Sequence, residues 1–146
     1  MTTIVYSQGV IAYDSRSTRG TTITDDDKEK MVLVDGVHFI FSGCTCDFQA
    51  LRDAYFGRKP SAEIEASGFA LDGENLYLIG CDDKTGLWKE EVDLDRPHAI
   101  GSGAAHAFTA IDMGATAVKA VEMAIKRDNC SGGTIRALSV PRTPNK

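Results

Sequence analysis

Apolar runs separated by turn signals constrain the fold of this chain most strongly. Residues 31–41 contain two apolar runs, and Asp35-Gly36 lies between them. Asp-Gly between apolar runs is a strong hairpin signal, because both turn positions favour residues that tolerate a positive φ. Similar turn signals separate apolar runs at residues 7–9, 72–73 and 82–84. The sequence therefore predicts a protein built largely from β-hairpins.

Helical periodicity is confined to two regions. Residues 47–56 have apolar side chains at helical spacing, with Asp47 as a candidate N-cap. In the last third, the pattern predicts helices over about 104–112 and 115–126, followed by a final strand over 134–140. The resulting order of strands, helix, strands, two helices and strand predicts sheets covered by helices.

Residues 16–29 separate the first hairpin from the second and are strongly polar. They include Gly20 and the acidic triplet Asp25-Asp26-Asp27. A charge run of this kind is usually solvated. We therefore expect a surface loop here.

Length and charge exclude several classes of protein. A chain of 146 residues predicts one domain, 1–146, with residues 141–146 as a flexible tail. The net charge of −5 argues against non-specific nucleic-acid binding, which needs a basic surface. No apolar run approaches the roughly 20 residues of a membrane span, and the first residues do not show the basic and apolar regions of a secretory signal. We expect a cytoplasmic protein without membrane or nucleic-acid partners.

The four cysteines do not predict a metal site. Only one residue separates Cys44 from Cys46, against the two to four usual between paired zinc ligands. No Cys-x-x-Cys or His pair completes a set, so we expect no metal or cofactor and mostly buried, reduced thiols. A Cys44 nucleophile is a disfavoured alternative, because no histidine is placed near it by pattern.

Thr2 becomes chemically interesting if Met1 is removed. It then carries a hydroxyl and a free α-amine, a group whose ordinary pKa is about 7.7–8.0. Such an amine can take the hydroxyl proton, and a terminal threonine is a known variant of the activated nucleophile. A retained Met1 would block the amine. Because only Met1 precedes Thr2 in this sequence, we expect no long pro-segment to be removed.

Six segments, in order and spread over nearly the whole chain, resemble one known family. They are Thr2-Thr3, residues 13–20 (YDSRSTRG), Lys30, Ser42-Gly43-Cys44, Gly101-Ser102-Gly103, and residues 127–133 (RDNCSGG). Together they resemble the β-type proteasome subunits and the bacterial HslV peptidase, of the N-terminal-nucleophile hydrolase superfamily. The resemblance implies an α+β fold, a four-layer αββα sandwich of two antiparallel sheets. One helical layer is reduced, because only residues 47–56 have convincing helical length where the family has two long helices.

The resemblance also implies a threonine endopeptidase with assigned residue roles. Thr2 would be the nucleophile, and Lys30, held by a salt bridge to Asp14, would lower its pKa by placing positive charge beside it. Gly43 would donate its backbone N–H to the oxyanion. The terminal amine would be oriented by a hydrogen-bonding shell of Ser102, Asp128 and Ser131.

Each of these assignments has an ordinary structural alternative. Asp14 and Lys30 could form a surface ion pair worth about 0–1 kcal/mol. Ser102 could cap the helix that follows it, and Asp128 could end another.

Substrate contacts follow from the same resemblance. Thr18 and residues 43–45 would pair with an extended peptide as an added strand. A specificity pocket beside Thr2 would have Phe41 as its floor, which makes it shallow and favours small or polar residues before the cut. The residues of this pocket would be Ser17, Lys28, Val32, Phe41, Thr45 and Gln49.

The implied partners are those of a chambered peptidase. The substrate would be unfolded polypeptide, the chain would form a homo-oligomer of one or stacked rings, and an AAA+ unfoldase would feed it. The reduced helical layer leaves the ring geometry open. Two alternatives remain: an N-terminal-nucleophile amidohydrolase of small amides, and a non-catalytic structural relative. The Asp14 and Lys30 pattern favours the peptidase.

Overall fold

The computed structural model describes residues 2–82 and 84–141, so Met1, Asp83 of one predicted turn, and most of the predicted tail lie outside the described residues. The chain divides into two compact units, Met1–Lys30 with Asp93–Lys146, and Met31–Val92. The strands of the first unit are β1 (Thr3–Ser7), β2 (Val10–Tyr13), β3 (Ser17–Arg19), β4 (Thr22–Asp25), β10 (His98–Gly101) and β11 (Arg136–Ser139), and those of the second are β5 (Met31–Val34), β6 (Val37–Gly43), β7 (Ala66–Asp72), β8 (Asn75–Asp82) and β9 (Gly86–Glu91). The helices are α1 (Phe48–Tyr55), α2 (Ala104–Asp112) and α3 (Ala117–Arg127).

In the first unit, β1 lies inside an antiparallel sheet of order β10-β1-β2-β11. Every residue of β1 is buried, because apolar side chains occupy both faces of the strand. Val5 packs with Ala12 and Ala99 against the two helices. The helices contribute mainly small side chains to this core, which lets them lie close to the sheet. These side chains are Ala107, Ala117, Ala120, Val121 and Ala124.

Helix α3 begins two residues later than the periodicity predicts. The Thr116 hydroxyl accepts a hydrogen bond from the backbone N–H of Lys119 at 3.2 Å, so Thr116 is the N-cap and Ala117 the first helical residue. Lys126 and Arg127 lie in the last turn, where positive charge is favourable. The helix therefore ends directly before Asp128.

Residues 16–29 lie largely at the surface, as predicted, but the prediction of an irregular loop is wrong where β3 and β4 form. Strands β3 and β4 pair antiparallel, with Thr18 opposite Ile23. Gly20 has a φ of 59°, which permits the tight connection between them. All of β4 is exposed, so this ribbon has no buried face and leaves no alternating apolar pattern in the sequence.

The second unit is a five-stranded antiparallel meander, β5-β6-β7-β8-β9, and the predicted hairpins are confirmed. Val34 pairs with Val37 across Asp35-Gly36, and both turn residues have positive φ. Phe39 and Phe41 of β6 are buried against α1, whose Leu51 is fully buried. This packing explains why a short helix forms here.

Asp47 is the N-cap residue of α1, as predicted. Its side chain makes no capping bond, however, because Oδ2 accepts from the backbone N–H of Glu65 at 2.8 Å. A short 3₁₀ turn, Thr45–Asp47, leads into the helix. No helix among residues 2–82 and 84–141 is long and apolar enough to cross a membrane.

Candidate active site

The Thr2 hydroxyl lies in a buried, charged environment at the start of β1. Thr2 Oγ1 donates a hydrogen bond to Asp14 Oδ1, and Lys30 Nζ donates to Thr2 Oγ1 at 2.5 Å. Lys30 Nζ also lies 2.7 Å from Asp14 Oδ1. The three side chains thus form a closed triangle of hydrogen bonds.

Burial separates this ion pair from an ordinary surface pair. The side chain of Asp14 is 0% exposed and that of Lys30 is 8% exposed. The alternative of a solvated surface pair is therefore wrong. Thr2 itself is only 2% exposed, so its hydroxyl contacts protein groups rather than bulk water.

Asp14 is held by backbone groups on the side away from Lys30. Its Oδ2 accepts from the N–H of Gly132 at 2.9 Å and from that of Arg16 at 3.3 Å. The N–H of Thr3 donates to Oδ1 at 3.2 Å. Donors from three parts of the first unit thus stabilise the ionised carboxylate and fix its orientation.

The Lys30 ammonium has a depressed pKa. Burial is the main cause, because it disfavours the charged form, and the positive charge of Lys28 lowers the pKa further. The Asp14 carboxylate partly opposes this shift by attraction and hydrogen bonding. A lysine of this kind places a positive charge beside Thr2 Oγ1 yet gives up its proton more easily than a solvated lysine.

A second hydrogen-bonding group lies on the other side of Thr2. The Ser102 and Ser131 hydroxyls each donate to Asp128 Oδ2 at 2.6 Å. The single hydroxyl proton of Ser131 is donated to Asp128, so Ser131 Oγ acts as an acceptor toward Thr3. The Thr3 hydroxyl therefore donates to Ser131 Oγ, at 2.7 Å. Ser102 Oγ also lies 3.4 Å from the Thr2 carbonyl oxygen. These three residues, Ser102, Asp128 and Ser131, form the Asp128 group, which anchors the Thr3 side chain and lies beside the Thr2 carbonyl.

The charge of Asp128 is stabilised within this group. Burial alone would raise the pKa of Asp128, but hydrogen bonds from Ser102 and Ser131 and from the Cys130 N–H hold it below its usual value. The Ser102 capping alternative is wrong, since Gly103 is the N-cap of α2 and no side chain caps that helix. Asp128 does follow the last residue of α3, as predicted.

Two glycines allow the chain to approach the Thr2-Thr3 segment closely. A Cβ added at Gly101 would overlap the Thr2 carbonyl, and one at Gly103 would overlap Thr3 Oγ1. Gly101 also has a φ of 97°, which favours glycine. The Gly101-Ser102-Gly103 motif is therefore a close-packing element that delivers the Ser102 hydroxyl to Asp128.

Gly43, the candidate oxyanion donor, ends β6 in the second unit. It has a φ of 120°, and an added Cβ would overlap the Glu65 carbonyl oxygen. The next residue is anchored, because the Cys44 N–H donates to the same carbonyl at 2.8 Å. A glycine is thus required here for conformational reasons alone, and the oxyanion role stays a prediction.

Three of the predicted substrate residues lie in the first unit. Ser17 and Thr18 are half-buried in β3, and the register shifts between them, as in a β-bulge. The carbonyl oxygen of Ser17 accepts from the Thr24 hydroxyl at 3.0 Å. The backbone N–H of Lys28 donates to Ser15 at 3.0 Å, and its side chain is exposed.

The other four lie in the second unit. Phe41 is only 2% exposed, and its ring contacts those of Phe39 and Phe48, at 5.4 and 5.6 Å between centroids. Val32 is 37% exposed on β5. The remaining two, Thr45 and Gln49, are exposed near the start of α1.

Sequence reasoning missed three contributors to the site. Thr3 joins the Asp128 group through its hydroxyl, and Gly132 and Arg16 support Asp14 through backbone N–H groups. The repeated threonine was a usable signal for Thr3. Backbone donors leave no residue-type signal, so the sequence could not identify Gly132 or Arg16 in these roles.

Comparisons with known proteins identify the fold of this chain. No family model matches the sequence, and no curated protein matches it either. Solved structures do match. A eukaryotic HslV from Trypanosoma brucei has 21% identity and a TM-score of 0.68, over 94% of this chain and 99% of that one. The chain has the HslV-type fold.

A second protein supports the same conclusion. BPH from Thiobacillus denitrificans, in complex with epoxomicin, has 14% identity and a TM-score of 0.68, over 97% of this chain and 99% of that one. Another structure of this BPH gives 17% identity and a TM-score of 0.65, with 99% of both chains covered. The predicted resemblance and the α+β sandwich class with antiparallel sheets are confirmed.

Proposed function

We propose that this protein is a threonine-type endopeptidase that uses Thr2 as its nucleophile once Met1 has been removed. The observation that carries the proposal is the buried triangle of Thr2 Oγ1, Asp14 and Lys30. Removing an aspartate–lysine pair from water costs several kcal/mol per ion. Placing it against one hydroxyl is hard to explain by stability and is what an activated hydroxyl needs.

The proposed reaction proceeds by acyl transfer. The Thr2 α-amine accepts the proton from Oγ1 as the oxygen attacks the scissile carbonyl carbon. The Lys30 ammonium stabilises negative charge on Oγ1, and the Gly43 N–H stabilises the charge on the carbonyl oxygen. The peptide C–N bond then breaks, the leaving amine takes the proton, and water hydrolyses the acyl ester on Thr2.

The Asp128 group has the role of positioning the amine. Its Ser102 hydroxyl, which donates to Asp128, lies 3.4 Å from the Thr2 carbonyl oxygen, and its Ser131 hydroxyl accepts a hydrogen bond from the Thr3 hydroxyl. These contacts, with the bond from the Thr3 N–H to Asp14, constrain the backbone directly after the Thr2 α-carbon, and this constraint limits the orientations that the amine can take relative to Oγ1. Such preorganisation is what lets an amine with an ordinary pKa act as the base.

The substrate and partners follow the same proposal. An extended, unfolded polypeptide pairs with Thr18 and residues 43–45, and a pocket with Phe41 as its floor favours small or polar residues before the cut. The similarity to HslV supports the homo-oligomer, and we propose in addition a cytoplasmic location and an AAA+ unfoldase as the partner that supplies substrate. A fluorogenic peptide panel tests the preference, and fast cleavage after bulky aromatic residues would contradict it.

The decisive experiment combines intact mass with peptide hydrolysis. Protein shown by mass spectrometry to begin at Thr2 is expected to cleave peptides and to take up an epoxyketone such as epoxomicin. Thr2→Ala is expected to lose about 10⁴–10⁶-fold in kcat/KM, as for other nucleophile deletions. Thr2→Ser is the matched control, because it keeps both hydroxyl and amine.

Two outcomes would decide against the proposal. If protein beginning at Thr2 neither cleaves peptides nor takes up the epoxyketone, the chain is a non-catalytic relative. If it takes up the probe and hydrolyses only small amides, it is an amidohydrolase that uses the same nucleophile.

A further inference from the structure

Two solvent-exposed thiols lie against each other directly after Gly43. The Sγ atoms of Cys44 and Cys46 are 2.7 Å apart, and both residues are exposed. This arrangement contradicts the expectation of mostly buried thiols. Exposed thiols are the ones most open to oxidation, and a neighbouring thiol can resolve the oxidised sulfur as a disulfide.

The geometry favours a bond between the sulfurs over a shared metal ion. Two thiolates on one tetrahedral zinc, each at about 2.3 Å, are held roughly 3.8 Å apart. A disulfide needs about 2.05 Å. The observed 2.7 Å is nearer to the second value. Asp47, the remaining candidate ligand, already uses Oδ2 to accept from Glu65, and its Oδ1 lies 3.9 Å from Cys46 Sγ.

The backbone around the pair is already fixed, so closure needs only side-chain movement. The Asp47 N–H donates to the Cys44 carbonyl at 3.0 Å, and the Cys44 N–H donates to the Glu65 carbonyl at 2.8 Å. The Glu65 N–H in turn donates to the Asp47 carboxylate at 2.8 Å. These bonds hold both cysteines in one turn.

We propose that Cys44 and Cys46 form a redox-active dithiol site whose substrate is a low-molecular-weight disulfide of the glutathione class. The Cys44 thiolate attacks one sulfur of the disulfide, the external S–S bond breaks, and one small thiol leaves. Cys46 then loses its proton and attacks Cys44 Sγ, which releases the second small thiol. Two electrons pass from the cysteine pair to the external disulfide, which becomes two thiols.

The pKa of the Cys46 thiol indicates which of the two sulfurs attacks first. A hydrogen bond with Cys44 is the main cause that raises the pKa of Cys46 to about 11, and the negative charge of Asp47 adds to the shift. Cys46 therefore gives up its proton less easily than an ordinary thiol, and we assign the first attack to Cys44. An exposed pair of this kind belongs to the labile class of disulfides rather than the structural one.

Mass spectrometry in glutathione buffers of graded redox ratio tests the proposal on the intact chain. Trypsin cuts after Lys30 and Arg52, so Cys44 and Cys46 share one peptide, while Cys81 and Cys130 fall in separate peptides and serve as internal controls. After acid quenching and alkylation, the shared peptide is expected to lose two hydrogens and escape alkylation. Half-closure is expected at a glutathione disulfide to thiol ratio at least tenfold lower than half-modification of either control.

Cys46→Ser is the matched variant, because it keeps the first nucleophile and removes the second. It is expected to accumulate glutathione on Cys44 and to form no internal disulfide. The proposal is overturned if the wild-type pair is oxidised no more readily than Cys81. It is also overturned if the pair stays reduced throughout and instead binds cadmium or zinc with loss of both alkylation sites. None of these readouts uses peptidase activity, so the test stands apart from the proposed function.

Discussion

The Asp14 carboxylate has no contact with solvent and accepts five hydrogen bonds. Its donors are the Thr2 hydroxyl, the Lys30 ammonium, and the backbone N–H groups of Thr3, Arg16 and Gly132. Lys30 has fewer partners, so the two members of the ion pair are unequal. The anion is supported by the fold as well as by the cation, while the cation depends on Asp14.

Because the two residues differ in their support, replacing Asp14 and replacing Lys30 should lower the free energy of unfolding by different amounts. Asp14→Ala leaves a buried ammonium and three backbone donors without their acceptor, and we expect a loss of about 3–5 kcal/mol in the free energy of unfolding. Lys30→Ala leaves a carboxylate that keeps four donors, and we expect only about 1–3 kcal/mol. Urea denaturation of both variants measures the difference. Equal costs would show that the backbone donors do not stabilise Asp14.

The depressed pKa of Asp128 predicts that part of the free energy of unfolding is lost in acid. Because its folded-state pKa is depressed, the folded protein binds fewer protons than the unfolded chain, and the gain is complete above the ordinary pKa of about 3.9. That gain is lost as pH falls through the folded-state pKa. Unfolding free energy measured from pH 6 down to pH 2 should fall more steeply in wild type than in Asp128→Asn. Parallel curves would contradict the assigned pKa direction.

Among the secondary-structure elements, the sequence predicts those that bury apolar side chains in a core and misses those that bury none. The β5–β6 hairpin was predictable because Val37, Phe39 and Phe41 alternate into the core around an Asp-Gly turn. The β3–β4 ribbon was not, because its strands bury no apolar face. The start of α3 was misplaced because Thr116 caps it, a local preference that periodicity does not register.

The turn after β6 predicts a measurable difference between two glycines. Gly43 and Gly57 both have positive φ, at 120° and 100°, but only Gly43 would place a Cβ against backbone atoms. Gly57→Ala should cost only the conformational strain, about 1–2 kcal/mol. Gly43→Ala should cost more in unfolding free energy, and in active protein should also lower kcat. Equal stabilities of the two variants in urea would mean that the turn relaxes freely.

For the molecule as a whole, the sequence was more informative about the site than about its surroundings. Thr2, Asp14, Lys30, Ser102, Asp128 and Ser131 were predicted, and the structure brings all six together in the first unit. The Cys44–Cys46 contact was missed, because proximity of two thiols depends on a turn whose anchor, Glu65, lies far along the chain.

The proposed homo-oligomer can be tested at exposed apolar side chains. Met113 is 87% exposed and Leu33 is 57% exposed, so both are available for contacts between copies. We expect light scattering after size exclusion to give a multiple of the chain mass. Met113→Lys and Leu33→Lys should lower that mass if these side chains lie at contacts between copies. A single-chain mass for wild type would contradict the prediction.

The position of Thr2 at the head of the fully buried strand β1 has a practical consequence for anyone preparing the protein. The leading end of a chain is ordinarily the expendable place for an affinity tag. Here any leftover residue before Thr2 would convert the α-amine of the proposed nucleophile to an amide. A tagged preparation should therefore be released by a protease that leaves threonine as the first residue, or inactivity would be read as a property of the protein rather than of the preparation.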